Sequence, residues 1–516
     1  MASTQLKQLI HNGVFVPDLY TPQGFTISFC GKAIKLNPSQ EEMAVKFAQK
    51  FGTPYAEDVK FRSNFMKDFA KALGLDQKIT VEEFDWSPIV HWIDAERARK
   101  ANITKEEKKE LAQSRKKIRE ERKGKYGWAT VDGVKMEIGN YAVEPTGIFL
   151  GRGQNPLRGR WKSAITTKDI TLNLSPSAPT PLGEWGGREW RPDELWIARW
   201  TDKLTGKVKY VWFHDATPMK QERAQEKFDL GRELESKIVK VRTHIAENLV
   251  GEDVKRRKVA TVAYLIDVFK IRVGDEQETE SGTVGATSLR GEHLRLHNSH
   301  PKVKLHFLGK DSILFEREQE LSPEAYNNLK EFAMEGSDRI FSGITTEAVR
   351  EFLSEAMPRL SPKVFRTFSA TQLFRQQLET SKVTVASSDV EKKMVLMEAN
   401  AAVAQLLNHQ KAIPKKWQET YEKRLAMLRT LKGNEGKAVA RRRQSLKLRL
   451  EQMRLSKKWN LGTSLRNYVD PRVAVEFCRK VEYEWQAYYP KTLVSKFAWA
   501  DKNKTARAET TIAAPA

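Results

Sequence analysis

The chain has 516 residues, 40% hydrophobic and 30% charged, with 13 Trp and 23 Phe, a composition that folds and has room for roughly two to four domains. Its 89 Lys and Arg against 66 Asp and Glu give a net charge of +23, a field suited to a polyanion, nucleic acid ahead of an anionic membrane surface. With no apolar run of about 18 residues, no signal-peptide core and only two cysteines, Cys30 and Cys478, a membrane span, secretion, a zinc module and a disulfide framework are all excluded as expectations, and both cysteines read as buried thiols.

Residues 1 to 95 mix short β-like runs (GVFVPDLY, FTISFCGKAIKL) with amphipathic helical patterns (EEMAVKFAQKF, FMKDFAKAL), which predicts a small α+β unit. The stretch TKEEKKELAQSRKKIREERKGK, 104–125, opens on a Thr-x-x-Glu capping box and stays charged, so a long solvated helix is expected, either a spacer or an arm grazing DNA. From 128 to 214 the pattern turns to strands, with KLTGK as a hairpin turn. Within it GRGQNPLRGRWK sets Arg152, Arg158, Arg160 and Lys162 among small residues that let a backbone approach phosphates closely.

Residues 216 to 410 read as mostly helical, with helix starts at Ser322-Pro323 and Ser361-Pro362, where Ser caps and Pro takes the first helical position. Residues 411–460 hold sixteen Lys and Arg against four Glu, in two helix-like runs about the LKGNEG turn. A protruding basic αα-hairpin is expected, since apolar positions are few. The remaining chain divides into an aromatic-rich piece, 461–501, with a helix from Pro471 capped by Asp470, and a loose tail, 502–516. The fold class is a multidomain α+β chain.

Four segments carry candidate chemistry. In KVATVAYLIDVFKIRVGDE the apolar face ends at Gly274, which places Arg272 in the last helical turn. VKLHFLGKDSILFERE alternates on both sides of a Gly-Lys-Asp break, a hairpin with Lys310 at its tip. SPKVFRTF puts Lys363 and Arg366 on one helix face. His409 stands in LLNHQK at the end of a helical run, bordering the basic hairpin. Singly each residue suits a structural role. Together with Tyr468, in the small polar segment LGTSLRNYVDPR, they supply what phosphoryl transfer to a Tyr nucleophile needs: cations for the non-bridging oxygens and an acid for the leaving oxygen. No P-loop, dinucleotide fingerprint or metal-ligand spacing occurs, so neither ATP nor a metal, nor any other cofactor, is asked for.

The ordered blocks EPTGIFLGRG, LIDVFKIRVGDE, TVGATSLRGEH, FLGKDSI, SPKVFRTF, NHQK, LGTSLRNYVDPR and KFAWA resemble those of the eukaryotic-like type IB DNA topoisomerases, over residues 13 to 500. The resemblance implies a bilobed DNA clamp: an α/β-rich cap half, 1–215; a mainly helical catalytic half similar to the tyrosine recombinases, 216–410; a helical-hairpin linker, 411–460; and a C-terminal domain, 461–501. It implies that Tyr468 attacks a DNA phosphate to leave a 3′-phosphotyrosyl link, that Arg272, Arg366 and His409 hold the phosphate oxygens, and that Lys310 protonates the departing 5′ oxygen. Arg152, Lys162, Lys363, Gln410 and Asn467 match DNA-touching positions, and Asp311 flanks Lys310. The implied partner is supercoiled double-stranded DNA, with no membrane, bound by a monomer in a nucleoid-bearing cytoplasm, or in the nucleus of a eukaryotic source. The short linker and the missing charged N-terminal extension are similar to compact archaeal members. Leu150 stands where the family pattern has Arg, and Asp275 where it has Asn. Two other readings share features: a tyrosine recombinase, which carries His-x-x-Arg where this chain has Lys363-x-x-Arg366, and a non-enzymatic architectural DNA-binding protein, for which charge and amphipathic helices are enough.

Overall fold

The computed structural model describes residues 5–153, 155–274, 283–297, 299–334, 338–431 and 436–501. Asp275, the LKGNEG turn and the 502–516 tail fall wholly or largely outside these. The chain divides into two compact units, Met1–Lys220 and Gln221–Ala516, each mixing helices with small sheets. Among the described residues no helix is long and apolar enough to cross a membrane.

The first unit holds two apolar cores. One gathers around strands β1 (Leu9–His11), β5 (Trp128–Val131) and β6 (Val134–Glu137), the sheet of β9 (Ile170–Asn173), β10 (Gly187–Glu189), β11 (Trp196–Thr201) and β12 (Val208–Trp212), and the segments between them. As the KLTGK turn requires, β11 and β12 pair antiparallel, Thr201 opposite Val208. The other core packs helices α1 (Pro38–Ala48), α3 (Val59–Leu73) and α4 (Ser87–Asn102), with the one-turn α2 (Pro54–Glu57) ahead of α3, on the sheet of β2 (Thr26–Phe29), β3 (Lys32–Lys35) and β4 (Phe84–Asp85); Phe47 and Phe65 stack there at 4.2 Å. The buried Glu41 carboxylate accepts from the backbone N–H groups of Gln23, Gly24 and Phe25 and from the Tyr20 hydroxyl, which organises the turn ahead of this sheet. Helix α5 (Lys105–Tyr126) starts at Thr104 with the full capping box and buries none of its residues, as its all-round charge dictates.

The basic segment 151–162 follows strand β7 (Gly147–Ile148) and ends in its antiparallel partner β8 (Trp161–Lys162). Three of its four cations meet carboxylates. Arg158 pairs with Asp58 at 2.7 Å, Arg160 with Asp68 at 2.8 Å, and Lys162 with Glu144 and Asp202. Asn64 adds hydrogen bonds to the Pro156 and Arg158 carbonyls. Gly159 makes this docking possible: at φ 88° its Cβ-less backbone lies where a side chain would meet the Phe61 carbonyl oxygen at 2.1 Å. Arg158 and Arg160 thus staple the loop to α3 and its N-cap, Lys162 ties it to Glu144 and Asp202, and Arg152 stands exposed. Cys30, expected to be buried, is exposed in the turn between β2 and β3; Cys478 is buried.

The second unit takes in all but the first three residues of the long helix α6 (Pro218–Glu247), then α7 (Val254–Phe269) and the antiparallel sheet of β13 (Leu294–Leu296), β14 (Lys302–Gly309) and β15 (Ile313–Glu320). Helices α8 (Pro323–Met334), α9 (Thr346–Ala356), α10 (Pro362–Glu379) and α11 (Asp389–Leu406) complete its main body. Ser322 Oγ accepts from Ala325 N and caps α8, whereas Ser361 makes no side-chain cap bond at the start of α10. The basic hairpin is α12 (Trp417–Thr430) and α13 (Lys437–Leu455). Its second helix does not stand clear of the core: Leu446 and Leu450 are buried, and Leu448 and Leu455 pack on the same apolar cluster as α11. Four leucines of α13 suffice for this despite the surrounding arginines, of which Arg441, Arg442 and Arg449 are exposed. Helices α14 (Leu461–Asn467) and α15 (Pro471–Lys480) follow the hairpin.

Candidate active site

Helix α7 does not end at Gly274. Lys270 adopts the left-handed conformation, φ 57°, and caps it, so Arg272 lies in the extended segment beyond the helix rather than in its last turn. That segment is fixed by the TVGATS stretch: Ala286 N donates to Arg272 O at 2.9 Å, and Thr287 N to Val273 O at 2.7 Å. The two backbones approach so closely that a Cβ on Gly285 would meet Gly274 N and Cα at 2.4 Å. Val284 N donates to Leu308 O at 2.8 Å, which ties the same stretch to the β14–β15 hairpin. Lys310 stands at the tip of that hairpin, where Asp311 (φ 66°) and Ser312 (φ 57°) turn the chain.

At the far end of α11, His409 N donates back to Ala404 O at 2.8 Å. Asn408 Nδ2 bonds Leu314 O at 2.9 Å, and Gln410 Nε2 bonds Asn408 Oδ1 at 2.7 Å, so the NHQK turn docks onto the start of β15. Gln410 then bridges Trp459, and Asn460 N donates to His409 O at 2.7 Å. The chain therefore returns from the basic hairpin to the point where it left. There Asn460 caps α14, through its side chain and Thr463 N.

Arg272, Lys310, Asp311, Arg366, His409 and Gln410 line one cleft of about 110 Å³. Tyr468 borders it. Its ring lies 5.2 Å from the His409 ring and 5.2 Å from the Arg366 guanidinium carbon. The polar segment LGTSLRN is helix α14, and Tyr468 is only 4% exposed, built into the apolar cluster of α10, α11 and α15. Its carbonyl accepts from Thr371 Oγ1 at 3.2 Å, and Asp470 N donates to the same hydroxyl at 3.1 Å. Asp470 caps α15 with Pro471 at the first helical position, as expected, and is held by Arg232 and Arg472.

The electrostatics follow from this burial. Burial pushes the Tyr468 phenol up, but the positive charges of Arg366 and Arg272, with Lys363 adding to them, outweigh it and leave the phenol below its ordinary range. Burial, reinforced by the same two arginines, lowers His409 to about 3, so its imidazole is neutral near pH 7. Nδ1 lies 2.8 Å from Ser464 Oγ; with that hydroxyl donating, the ring proton sits on Nε2. His409 Nε2 and Arg366 Nε are both buried without a hydrogen-bond partner. An unpaired buried donor costs about 1–3 kcal/mol, so two of them beside one cleft mark a place built for an acceptor. A phosphate oxygen is such an acceptor.

Residues 4–213, 216–441 and 440–507 match, in order, the family models for the DNA binding fragment of eukaryotic DNA topoisomerase I, its catalytic core, and the C-terminal topoisomerase domain. DNA topoisomerase 1 of Rattus norvegicus and that of Homo sapiens are each 31% identical over 550 residues, which cover 96% of this chain and 70% of the relative. The chain belongs to the eukaryotic DNA topoisomerase I family. It also matches DNA topoisomerase 1 beta of Arabidopsis thaliana, at 33% identity over 540 residues, and spans 58% of that relative's length.

Of the residues singled out for topoisomerase I chemistry, Arg272, Lys310, Arg366, His409, Asp311 and Gln410 meet at the cleft, with Tyr468 against it. Lys363 is exposed on α10, near enough for its charge to act on Tyr468. Asn467 bonds Thr463 O through its side chain and accepts from Lys227 Nζ through its carbonyl. Arg152 and Lys162 belong to the first unit, and Lys162 is engaged by Glu144 and Asp202. Two residues escape sequence reasoning. Ser464, fully buried, is visible only through its tertiary partner His409. Arg317 follows Ile313 and Phe315 on the inward-facing positions of β15, where the alternation calls for an apolar residue, and its guanidinium is turned onto helix ends.

Proposed function

We propose that the chain is a type IB DNA topoisomerase that relaxes supercoils of both signs by cutting one strand, letting it swivel and resealing it. The observation that carries this reading is the pair of unpartnered buried donors, His409 Nε2 and Arg366 Nε, beside a tyrosine whose phenol is held below its usual range. Tyr468 Oη, its proton given up to solvent, attacks phosphorus. The bond to the 5′ oxygen breaks, Lys310 protonates that oxygen, and a 3′-phosphotyrosyl ester with a free 5′-hydroxyl remains. Arg272, Arg366 and neutral His409 hold the non-bridging oxygens where charge accumulates. Attack by the 5′-hydroxyl reverses every step. One phosphodiester is exchanged for another, so the energy of the cut bond is kept and neither ATP nor metal is called on.

In this reading residues 1–215 form the cap and 216–410 the catalytic half, recombinase-like in fold, of a clamp on duplex DNA. Residues 411–460 are the linker, and 461–501 the domain that delivers Tyr468. Arg152, Lys162, Lys363, Gln410, Asn467 and Asp311 contact DNA beside the scissile phosphate, with Lys162 exchanging a carboxylate for a phosphate on binding. The enzyme acts as a monomer in whichever compartment holds the DNA. The test is plasmid relaxation in excess EDTA without nucleotide: both signs of supercoil are relaxed, and Tyr468→Phe forms no covalent DNA adduct while retaining DNA affinity. A requirement for Mg²⁺, or relaxation by Tyr468→Phe, refutes the reading.

A further inference from the structure

Helices α7 and α11 end beside the same cleft, at Phe269 and Leu406, and three residues beyond each end stand Arg272 and His409. Each helix leaves its last carbonyls without intrahelical partners, at the negative end of its dipole. Left bare, those carbonyls would repel a phosphate and leave both arms free to shift. Two guanidinium groups occupy them. Arg366 donates to Lys270 O and, at 3.1 Å, to Leu407 O. Arg317 donates to Phe269 O at 2.9 Å through Nη1, and through Nη2 to Leu406 O at 2.9 Å and Gln405 O at 3.3 Å. Each arginine therefore joins both helix ends, one residue apart, in a double clasp. Arg366 also faces Tyr468. Arg317 does not line the cleft; it rises from β15, the outgoing strand of the hairpin that carries Lys310, so its bonds link three arms rather than two.

We propose that Arg317 is a positioning residue of the strand-cleavage step: by fastening the Lys310 hairpin to the ends of α7 and α11 it fixes the spacing at which Lys310, Arg272 and His409 meet one phosphate. This rests on the cleavage reading above. The planar fork of arginine is required, since five N–H donors in fixed geometry span two helix ends whereas a lysine ammonium is a single point.

The test compares the full-length chain with Arg317→Lys and Arg317→Met in single-turnover cleavage of a duplex whose short 5′-hydroxyl fragment diffuses away. The rate is taken per active molecule from the burst amplitude, and DNA affinity is measured with each change placed on Tyr468→Phe. A displacement of about 1 Å in a reacting group costs about 100-fold, so Arg317→Met cleaves about 100-fold more slowly per active molecule. Resealing slows by the same factor, affinity is unchanged, and Arg317→Lys recovers only part of the rate. Full-rate cleavage by Arg317→Met, or a deficit confined to the active fraction, overturns the proposal alone. Absence of an adduct from the unaltered chain overturns the cleavage reading and this proposal with it.

Discussion

Removing the Ser464 hydroxyl tests whether a fully buried neighbour sets the protonation of the His409 imidazole, proposed above to hold a phosphate oxygen. Ser464 is fully buried and its Oγ lies 2.8 Å from His409 Nδ1, while Nε2 has no partner. In Ser464→Ala the buried Nδ1 acceptor is left without its donor, which costs about 1–3 kcal/mol for an orphaned group. Moving the ring proton to Nδ1 does not escape that penalty, since an N–H there is equally unpaired, and it leaves a lone pair on Nε2 where a phosphate oxygen needs a donor. Either route takes about 1–3 kcal/mol from the transition state, a slowing of about 5- to 150-fold. The assay is the rate of covalent adduct formation on a short duplex, followed from pH 5 to pH 8. Because His409 titrates only near 3, the unaltered chain shows no inflection from this group across that range, and the variant is slower throughout. Cleavage by Ser464→Ala at the unaltered rate refutes the reasoning, as does an inflection near the ordinary histidine pKa that vanishes in His409→Gln.

Three further outcomes are expected. Gly285→Ala forces a Cβ to within 2.4 Å of the Gly274 backbone; overpacking of this kind costs about 1–3 kcal/mol, so the melting temperature falls and cleavage slows because Arg272 is displaced, and a variant with unchanged melting and rate contradicts the close packing. His11, whose Nδ1 accepts from Gly13 N and whose Nε2 faces Asn173 O, is lowered by burial to about 4, and His409 to about 3. With both folded values below the unfolded 6.5, the unfolded chain binds more protons, so stability present above about pH 6.5 is lost as pH falls, by about 1.4 kcal/mol per pH unit for each histidine; equal urea midpoints at pH 7 and pH 5 refute this. Finally, replacing the exposed cations of α12 with Gln weakens DNA binding and flattens its salt dependence, by about 0.9 in the log–log slope for each phosphate no longer neutralised, while the single-turnover cleavage rate of bound DNA is kept; an unaltered slope means that the linker does not touch DNA.

Local chemistry made much of this legible. Thr104 with Glu107, and Asp470 with Pro471, declare helix starts because capping is settled within a few residues. The β14–β15 alternation and its Gly-Lys-Asp break place Lys310 at a tip for the same reason. What failed was decided at a distance. Gly274 looked like the stop of α7, but Lys270 takes the left-handed position, held by Asp267 through its ammonium and by Arg366 through its carbonyl. The small polar segment LGTSLRN gives no sign of burial, yet Ser464 and Asn460 spend their polar groups on His409 and the α14 cap. The pairing of Arg158 with Asp58 and of Arg160 with Asp68 was not legible because those carboxylates lie far earlier in the chain.

The bridge between Gln410 and Trp459, with Asn460 N on His409 O, closes a loop whose two ends coincide. For a lineage of such enzymes this makes hairpin length an almost neutral variable. Doubling a closed loop costs only about 0.6 kcal/mol, and neither the imidazole nor the helix that carries the tyrosine feels it, since both are set below the closure. Residues added or removed beyond the leucines that seat α13 on α11 alter how far the hairpin carries its positive charge from the cleft. Reach can thus drift, or be engineered, independently of the chemistry at its base.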